Sequence, residues 1–569
     1  MNNEKFSSID TETIKGKCKV VCNENEGIFV NTFDDVMDFI FSKCNKKIVT
    51  YNVDYDVLAI LKYLPKYCFE DILMFGITKY KQYVINYEKQ GKECIVTYRR
   101  QQRFLYDVMQ FFNSSLDVAS QKFLNEKKID ISLEGITKFI HNKNNKVIEY
   151  CIQDAKLTLK LWGFLQAKFK ALKINSNRPL SLAFLSYNYF KHYFKKEKIT
   201  RTCNDYFQLG YYGGRFEILQ RGYFRNACLY DLNSAYPSAI NQLYSLNGAE
   251  YVKNENITKD TIYGLFYLEL DFREFLFLPL PLRQGNGKII FPYGQFRGYY
   301  TLEDIKLLDK YHYKYKILEN ICVHNEKKKI IDINYYYTLR KKKVQLDYVL
   351  KIMLNSLYGK FAQKTNKKFF KGILSDSDVD LFYSKEEFGG STNFIFASFI
   401  TSYIRRVIYD YAMLFSDKVI FFNTDGILFS DDIVNIKDSN KLGGMCKKDY
   451  KGAYVIGSGI YGLIKSDDII EWKRRGLQID SKLLNNLKDS KNKYVELNST
   501  KRIGLTENNL RLNYNLNEIT NVLKKVNFNF DNKRLWFSDF KNGSEIFTRQ
   551  IQSKPIKLNL ELYSKLVRG

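Results

Sequence analysis

The chain alternates short apolar runs with polar turns, and no apolar run approaches the ~18 residues that span a bilayer. Residues 418–430, KVIFFNTDGILFS, set two apolar runs on either side of Asn423-Thr424-Asp425-Gly426, which predicts a tight β-hairpin. Asp and Gly fill such turns for conformational reasons alone, so Asp425 gains meaning only from a partner elsewhere. In VTYNVDYDVLAIL an apolar strand hands over to an apolar-periodic helix, with Asn52 and Asp56 at the change. VIEYCIQDAKLTLKLW is helical by period and puts Tyr150 and Asp154 on one face. KFSSIDTETIKGK reads as extended, so Asp10 and Glu12, two apart, share a face. ACLYDLNSAYPSAI ends an apolar segment at Asp231, after which Pro237 stops the strand and starts a helix or turn. DYVLKIMLNSLYGKFAQ predicts a helix carrying Lys351, Asn355, Tyr358 and Gly359 in one stripe, an odd core face but a sensible nucleotide-facing one.

At 569 residues several domains are expected, and 45% hydrophobic with 16% aromatic content supplies large cores. Seven prolines and no low-complexity tract argue against long disordered parts. Lys and Arg number 89 against 62 Asp and Glu, a net +27 spread along the chain, which points to a polyanionic partner held in a long cationic channel. The start, MNNEKFSSIDTET, lacks a secretory pattern, so a cytoplasmic location and no membrane partner are expected. Ten scattered cysteines include one close pair, Cys18 and Cys22, with no second pair for a zinc site. With four histidines, a catalytic metal would be held by carboxylates, hence magnesium, with manganese as the alternative.

Two like charges side by side are costly unless a cation neutralises them; otherwise Asp10 and Glu12 are a solvated strand end. The succession D-x-E, N-x-x-x-D, Y-x-x-x-D resembles the three exonuclease motifs of proofreading DNA polymerases. That resemblance implies an RNase H-like domain in which the catalytic carboxylates Asp10, Glu12, Asp56 and Asp154 surround two metal ions, with Asp10, Glu12 and Asp154 among the ligands. Tyr150 would orient the attacking water, which one ion activates while the other steadies the leaving oxygen. Asn52 and Tyr55, then Ser115 and Leu116 in SSLDVAS, match positions that grip the frayed DNA strand. A catalytic lysine is expected at Lys127 or Lys128 in NEKKID.

Residues 231–238, 351–359 and 423–425, in that order, resemble the polymerase motifs of family B DNA polymerases. The resemblance implies that Asp231 and Asp425 meet on adjoining palm strands as catalytic metal ligands, with Leu232 beside them at both the metal and nucleotide sites. Lys351, Asn355, Tyr358 and Arg340 would contact the nucleotide, and Gly359 would let the template approach. Tyr236 matches the position whose ring excludes a ribose 2′-hydroxyl. Arg340, in TLRKKK, lies eleven residues before Lys351, almost the same helical face; the alternative is a solvated basic patch. Asn423 stands where the family has an aspartate, and Gly426 where it has a serine. These departures are expected to weaken metal affinity or change metal preference without abolishing the reaction.

LGYYGGRFE, with Tyr211, Gly213 and Gly214, resembles the Y-x-G-G segment of protein-primed family B enzymes, which contacts template. Thr401 and Arg405 in ASFITSYIRR match an element that grips DNA near the primer terminus. Tyr461 matches the tyrosine of a K-x-Y motif whose lysine is replaced by Gly459, with Lys473, Arg474 and Arg475 as the expected compensation. The implied fold is a multidomain α/β chain: an RNase H-like exonuclease domain plus a right-hand polymerase of palm, fingers and thumb with two terminal-protein-region insertions. The expected division is exonuclease 1–178, palm 179–250 and 393–480, first insertion 251–335, fingers 336–362, second insertion 363–392, and thumb with the C-terminal region 481–569. The implied function is DNA-directed DNA synthesis on a linear phage or plasmid genome, primed by a terminal protein, with 3′–5′ proofreading and strand displacement. A monomer binding template-primer DNA and dNTPs, with two Mg2+ ions per active site, is expected. The rivals are a DNA-primed or primer-independent enzyme of the same fold, an exonuclease whose polymerase half only binds DNA, and a non-enzymatic single-strand binder.

Overall fold

The computed structural model describes residues 5–88, 93–273, 275–285, 287–342, 344–370, 382–430, 436–457, 459–466, 469–473, 495–506, 509 and 515–526. Arg474 and Arg475, residues 371–381 of the second expected insertion, and residues 527–569 lie outside the described residues.

The first sheet has eight strands, in the order Gly27–Phe29, Lys17–Asn23, Phe6–Ile14, Lys47–Thr50, Gln101–Asp107, Glu93–Tyr98, Tyr83–Glu88, Ile77–Tyr80. Phe6–Ile14, Lys47–Thr50 and Gln101–Asp107 run parallel at its centre, and the flanking strands are antiparallel. A strand with parallel neighbours needs both faces covered, and Phe6–Ile14 is buried on both. Helices Phe33–Lys43 and Val53–Leu61 seal one core with Val21, Ile48 and Leu105, the first of them opened by a Thr32–Asp35 capping box. The long helix Lys146–Ala171 covers the other side, burying Leu157, Leu161, Trp162 and Leu165 at helical spacing against Phe6, Val49 and Tyr106.

The second sheet has seven strands, all antiparallel: Ile469–Lys473, Ile460–Ser466, Met445–Gly457, Gly222–Leu232, Gly426–Phe429, Val419–Thr424, Arg215–Ile218. Cys228, Tyr230 and Leu232 alternate into a core shared with helices Ala235–Ile240 and Phe394–Met413. Ala227 and Leu229 face the opposite side, in a smaller cluster with Tyr450 and Tyr461. The period of two puts Asp231 on that second face, at the very end of its strand.

A four-stranded sheet, Glu250–Lys253, Tyr315–His324, Thr261–Phe272, Gly294–Thr301, occupies the segment after the first palm-like strand, with helix Leu302–Lys310 packed on it. Helices Ile333–Lys342 and Val344–Leu357 pack on each other. The sequence pattern put Arg340 and Lys351 on almost the same helical face; residue 343, between the two helices, lies outside the described residues. Lys351, Asn355 and Gly359 are exposed as the stripe predicts, whereas Val349, Leu350, Met353, Leu354 and Leu357 are buried. Two further pairs of strands, Lys364–Phe370 with Phe382–Phe388 and Val495–Arg502 with Ile519–Val526, complete the description. Among the described residues no helix is long and apolar enough to cross a membrane.

Two candidate active sites

The first site forms on strand Phe6–Ile14 beyond Ser8, where its pairing with Lys47–Thr50 stops while its pairing with Lys17–Asn23 continues. One oxygen each of Asp10, Glu12 and Asp154 lie within 4.8 Å of one another. A register shift between Glu12 and Thr13 kinks the pairing with the neighbouring strand at this point, after which Thr13 and Ile14 pair on with Cys18 and Lys17. Asp56 stands just outside this trio at the first turn of Val53–Leu61, where Thr11 Oγ1 donates to its Oδ1 at 2.8 Å. Asp56 Oδ2 and Asp154 Oδ1 are buried without a hydrogen-bond partner.

Removing this many carboxylates from water favours their protonated forms. Burial, reinforced by the charge of Asp154, pushes Glu12 up to about 8. Burial, then the charges of Asp154, Asp56 and Glu12, hold Asp10 well above the usual carboxylate range. Burial takes Asp56 to about 7 against its Thr11 hydrogen bond. Burial takes Asp154 to about 6, opposed by Lys128. Crowded acidic oxygens with orphaned lone pairs are the donor set a hard divalent cation accepts, so the residues present fit magnesium or manganese.

Of the two expected lysines, Lys128 is the one at the site: its Nζ pairs with Asp154 Oδ2 and lies 4.6 Å from the Tyr150 ring centroid. Lys127 contributes its carbonyl to Gln153. Tyr150 and Asp154 share the inner face of Lys146–Ala171, as their spacing predicts, and burial raises the Tyr150 phenol to about 12. Tyr55 donates or accepts with Thr13 across 2.8 Å, and Asn52 adopts a left-handed conformation (φ 83°) with its amide bonded to Asp107 Oδ1. Ser115 caps helix Leu116–Leu124, and Leu116 is largely buried in the core rather than open to a strand of DNA.

The second site joins two distant segments. Asp231 pairs with Gly426 across adjoining strands, and the Leu232 amide donates to the Asp425 carbonyl at 2.8 Å. The hairpin closes as predicted, Asn423 opposite Gly426, with Thr424 in a left-handed conformation (φ 59°) and Asp425 at the turn. Burial, then the negative charge of Asp231, raises the Asp425 carboxyl. Gly426 has a local reason: a Cβ there would lie 2.4 Å from Asp231 Oδ1, so serine would force that carboxylate to rotate. The other oxygen, Asp231 Oδ2, receives Lys448 Nζ at 3.0 Å from strand Met445–Gly457. The side chain of Leu232 is buried, leaving only its backbone to serve a metal or nucleotide. Two facing carboxylates at one sheet edge also fit a divalent cation, with one acidic group fewer because Asn423 is an amide.

Around this pair, Tyr236 and Tyr358 stack with ring centroids 3.9 Å apart and planes 9° from parallel. Arg340 reaches the site: its Nη1 lies 3.1 Å from Ser234 Oγ, and its Nε lies 2.5 Å from Asp347 Oδ1. A Cβ at Gly359 would meet nothing within 4 Å, whereas one at Gly214 would lie 2.5 Å from Thr424 Cγ2, so Gly214 packs directly under the Asp425 turn. Gly213 is open, and burial near Tyr358 raises the Tyr211 phenol to about 12.

Thr401 and Arg405 share a face of Phe394–Met413, but that face is interior. Thr401 returns its hydroxyl to Ala397 and Ser398 carbonyls, and Arg405 donates to the Tyr212 and Gly213 carbonyls and Asp304. Their direct contact with DNA is therefore not available in this structure; Arg405 instead fixes the backbone of residues 212–213. Tyr461 is likewise buried, its ring tilted 40° against Phe421 with centroids 4.8 Å apart, and burial first and Asp231 second raise its phenol to about 12. Lys473 ends the outermost strand. Lys448, Thr11, Asp107 and Arg502 went unread in the sequence. Thr11 and Asp107 each had a local signal, a hydroxyl inside D-T-E and an acid closing an apolar strand.

Residues 132–425, just over half of the chain, match DNA polymerase type B, organellar and viral. The chain belongs to this family. It is 24% identical over 363 residues to a probable DNA polymerase of Ascobolus immersus, covering 56% of this chain and 30% of that protein. It is 26% identical over 389 residues to one of Neurospora intermedia, covering 58% and 40%. The DNA polymerase of Acidianus bottle-shaped virus is 25% identical over 299 residues, covering 48% and 41%. The chain thus spans well under half the length of these curated relatives. In structure it resembles Phi29 DNA polymerase complexed with primer-template DNA and incoming nucleotide, with a TM-score of 0.65, 16% identity, and coverage of 93% of this chain and 100% of that one. That likeness shows the fold: this family B chain has a multidomain α/β architecture of the kind seen in Phi29 DNA polymerase.

Proposed function

We propose that this chain is a DNA-directed DNA polymerase with 3′–5′ exonuclease activity, primed by a terminal protein and capable of strand displacement. The observation that carries the reading is the pairing of the Asp231 strand with the Asp425 turn, nearly two hundred positions apart, while a separate carboxylate trio forms on another sheet. Family membership and the DNA and nucleotide bound by the Phi29 enzyme support template-primer DNA and dNTPs as substrates. On this reading the exonuclease would lie on the eight-stranded sheet, the palm on the seven-stranded one, the fingers on the helices Ile333–Lys342 and Val344–Leu357, and the terminal-protein surface on the four-stranded sheet.

In the polymerase site Asp231, Asp425 and the Leu232 carbonyl would hold magnesium, which when bound lowers the pKa of the primer 3′-hydroxyl and offsets triphosphate charge. Lys351, exposed and without an ion pair among the described residues, offers its ammonium to triphosphate oxygens. The stacked Tyr236 and Tyr358 rings form a rigid wall beside the sugar and base, disfavouring a ribose 2′-hydroxyl. Arg340, anchored on Asp347, adds positive charge next to Ser234. In the exonuclease site Asp10, Glu12 and Asp154 would hold the ions, Asp56 would complete the acidic ring, and Tyr150 with Lys128 would position water. Tyr211, Gly213 and Gly214, steadied by Arg405, would meet the template between the two sites.

A second reading, an exonuclease whose polymerase half only binds DNA, is favoured by one observation: Lys448 sits on Asp231 where a cation is needed, and Asn423 is uncharged. Primer extension with dNTPs and Mg2+ separates the two. Incorporation sensitive to Asp231→Ala supports the polymerase; retained degradation with no incorporation supports the second reading. Labelled dATP offered with and without a candidate terminal protein tests the priming mode, since protein-linked label appears only if a side-chain hydroxyl primes.

A further inference from the structure

The C-terminal strand pair is built into the exonuclease domain. Leu505 and Leu516, from the connection between Val495–Arg502 and Ile519–Val526, are buried in the same core as Val57, Leu58 and Ile60. Asn517 Nδ2 donates to the Gly16 and Tyr55 carbonyls at 3.2 and 3.3 Å, and Lys62 pairs with Glu518 at 3.2 Å. The approach is close enough that a Cβ on Gly16, itself left-handed at φ 70°, would lie 2.8 Å from the Asn517 carbonyl carbon. Such contacts fix the last residue of the first strand, Arg502, against the acidic site.

Arg502 lies with its guanidinium carbon 4.4 Å from the Tyr55 ring centroid. Tyr55 in turn bonds Thr13, one residue past Glu12, and immediately precedes Asp56. Arg502 is near enough to Asp56 for its charge to hold that carboxyl down, and an arginine so placed would ordinarily pair with it. Arg502 forms no ion pair among the described residues, and its Nε is buried with no hydrogen-bond partner. The other cation at the site, Lys128, is committed to Asp154 and Tyr150. A guanidinium held over an aromatic ring keeps its planar fork, and its terminal N–H groups suit capture of a phosphate. A polyanionic strand entering a nest of carboxylates needs such a group, because the acidic ring repels it.

We propose that Arg502 is a DNA-binding residue of the exonuclease site, taking a backbone phosphate of the single-stranded 3′ end, so that the trimming site is completed by the C-terminal strand pair. This rests on the exonuclease reading above. Tyr55 then has two tasks, holding the frayed strand and presenting the arginine.

The test is steady-state degradation of a labelled single-stranded oligonucleotide with Mg2+ by the full chain and by Arg502→Met and Arg502→Lys. Methionine keeps an apolar stem on Tyr55 without the charge, and lysine keeps the charge without the fork. For Arg502→Met, KM is expected to rise about ten-fold with kcat changed little, as the loss of one charge-assisted contact implies. The slope of log KM against log salt is expected to fall by about 0.7, one phosphate contact on a single strand. Arg502→Lys should restore the slope and recover part of KM. A wild-type KM and salt slope in Arg502→Met, with the wild-type chain degrading normally, overturns the inference. Absence of degradation by the wild-type chain overturns the exonuclease reading on which it stands.

Discussion

The two acidic sites of this chain solve the same electrostatic problem differently. In the proposed exonuclease site carboxylates crowd together, burial is the largest cause raising each of them, and one lysine, Lys128, offsets part of the charge. In the polymerase site the crowd is thinned: an amide replaces one acid at Asn423, and Lys448 sits directly on one of the two that remain. The first site therefore stores destabilising charge that a cation relieves, so metal, proton and fold are tightly linked there. The second is more open and closer to neutral, so its metal should bind more weakly and leave stability almost untouched.

The largest effect expected from this comparison is on activity. Asp231→Ala or Asp425→Asn should lower primer extension by about a thousand-fold or more while degradation persists, since several kcal/mol of charge stabilisation are lost. Asp10→Ala combined with Glu12→Ala should do the reverse, both followed with labelled primer-template. Loss of both activities in either variant, with folding intact, would dissolve the distinction between the sites.

Next comes stability without metal. A carboxyl held above its unfolded value keeps its proton longer in the folded chain than in the unfolded one. The unfolded values lie near 3.8 for aspartate and 4.5 for glutamate, and the folded ones at about 6, 7 and 8 for Asp154, Asp56 and Glu12. The unfolded state therefore binds fewer protons across this window, and stability must fall as pH rises from about 4 to about 8. At ~1.4 kcal/mol per pKa unit, a loss of a few kcal/mol from the exonuclease domain is expected in EDTA. Melting curves between pH 5 and 8 should show it, Mn2+ should reverse it, and Asp10→Asn should flatten it. Asp425→Asn should leave the profile nearly unchanged.

The two lysines sharpen the comparison further. Lys128→Ala should cost degradation about ten- to a hundred-fold, the range of a charge-assisted hydrogen bond in a buried setting. Lys448→Gln acts on a half-exposed pair worth below ~1 kcal/mol, so Mn2+ affinity at the polymerase site should rise by only about two- to five-fold in a titration with the exonuclease ligands removed. Equal effects from the two lysines would refute the contrast in burial.

Much of this was legible along the chain, because the chemistry sits in short segments whose local structure is self-determined. The 423–426 turn, the Asp10–Glu12 alternation, the Tyr150–Asp154 helix face and the Lys351–Gly359 stripe follow from turn residues and periods of two and 3.6. Thr401 and Arg405 share the predicted face, but their neighbours, FIFASFI, are apolar all round, and such a helix is buried with its polar groups inside. Leu116 was assigned by motif position where its own side chain preferred the core. Lys448 and Arg502 were invisible for a different reason. One reaches Asp231 through the register of two strands more than two hundred residues apart, and the other reaches Tyr55 because Leu505, Leu516, Asn517 and Glu518 pack on the far end of the chain.

The central claim is that two separate carboxylate sites on two sheets each take divalent cations. Anomalous diffraction from crystals soaked in Mn2+ tests it most directly. The account predicts one set of peaks among Asp10, Glu12 and Asp154 and another between Asp231 and Asp425, the second weaker and strengthened by Lys448→Gln. Manganese at the first site with none at the second, in the Lys448→Gln protein as well, would contradict it.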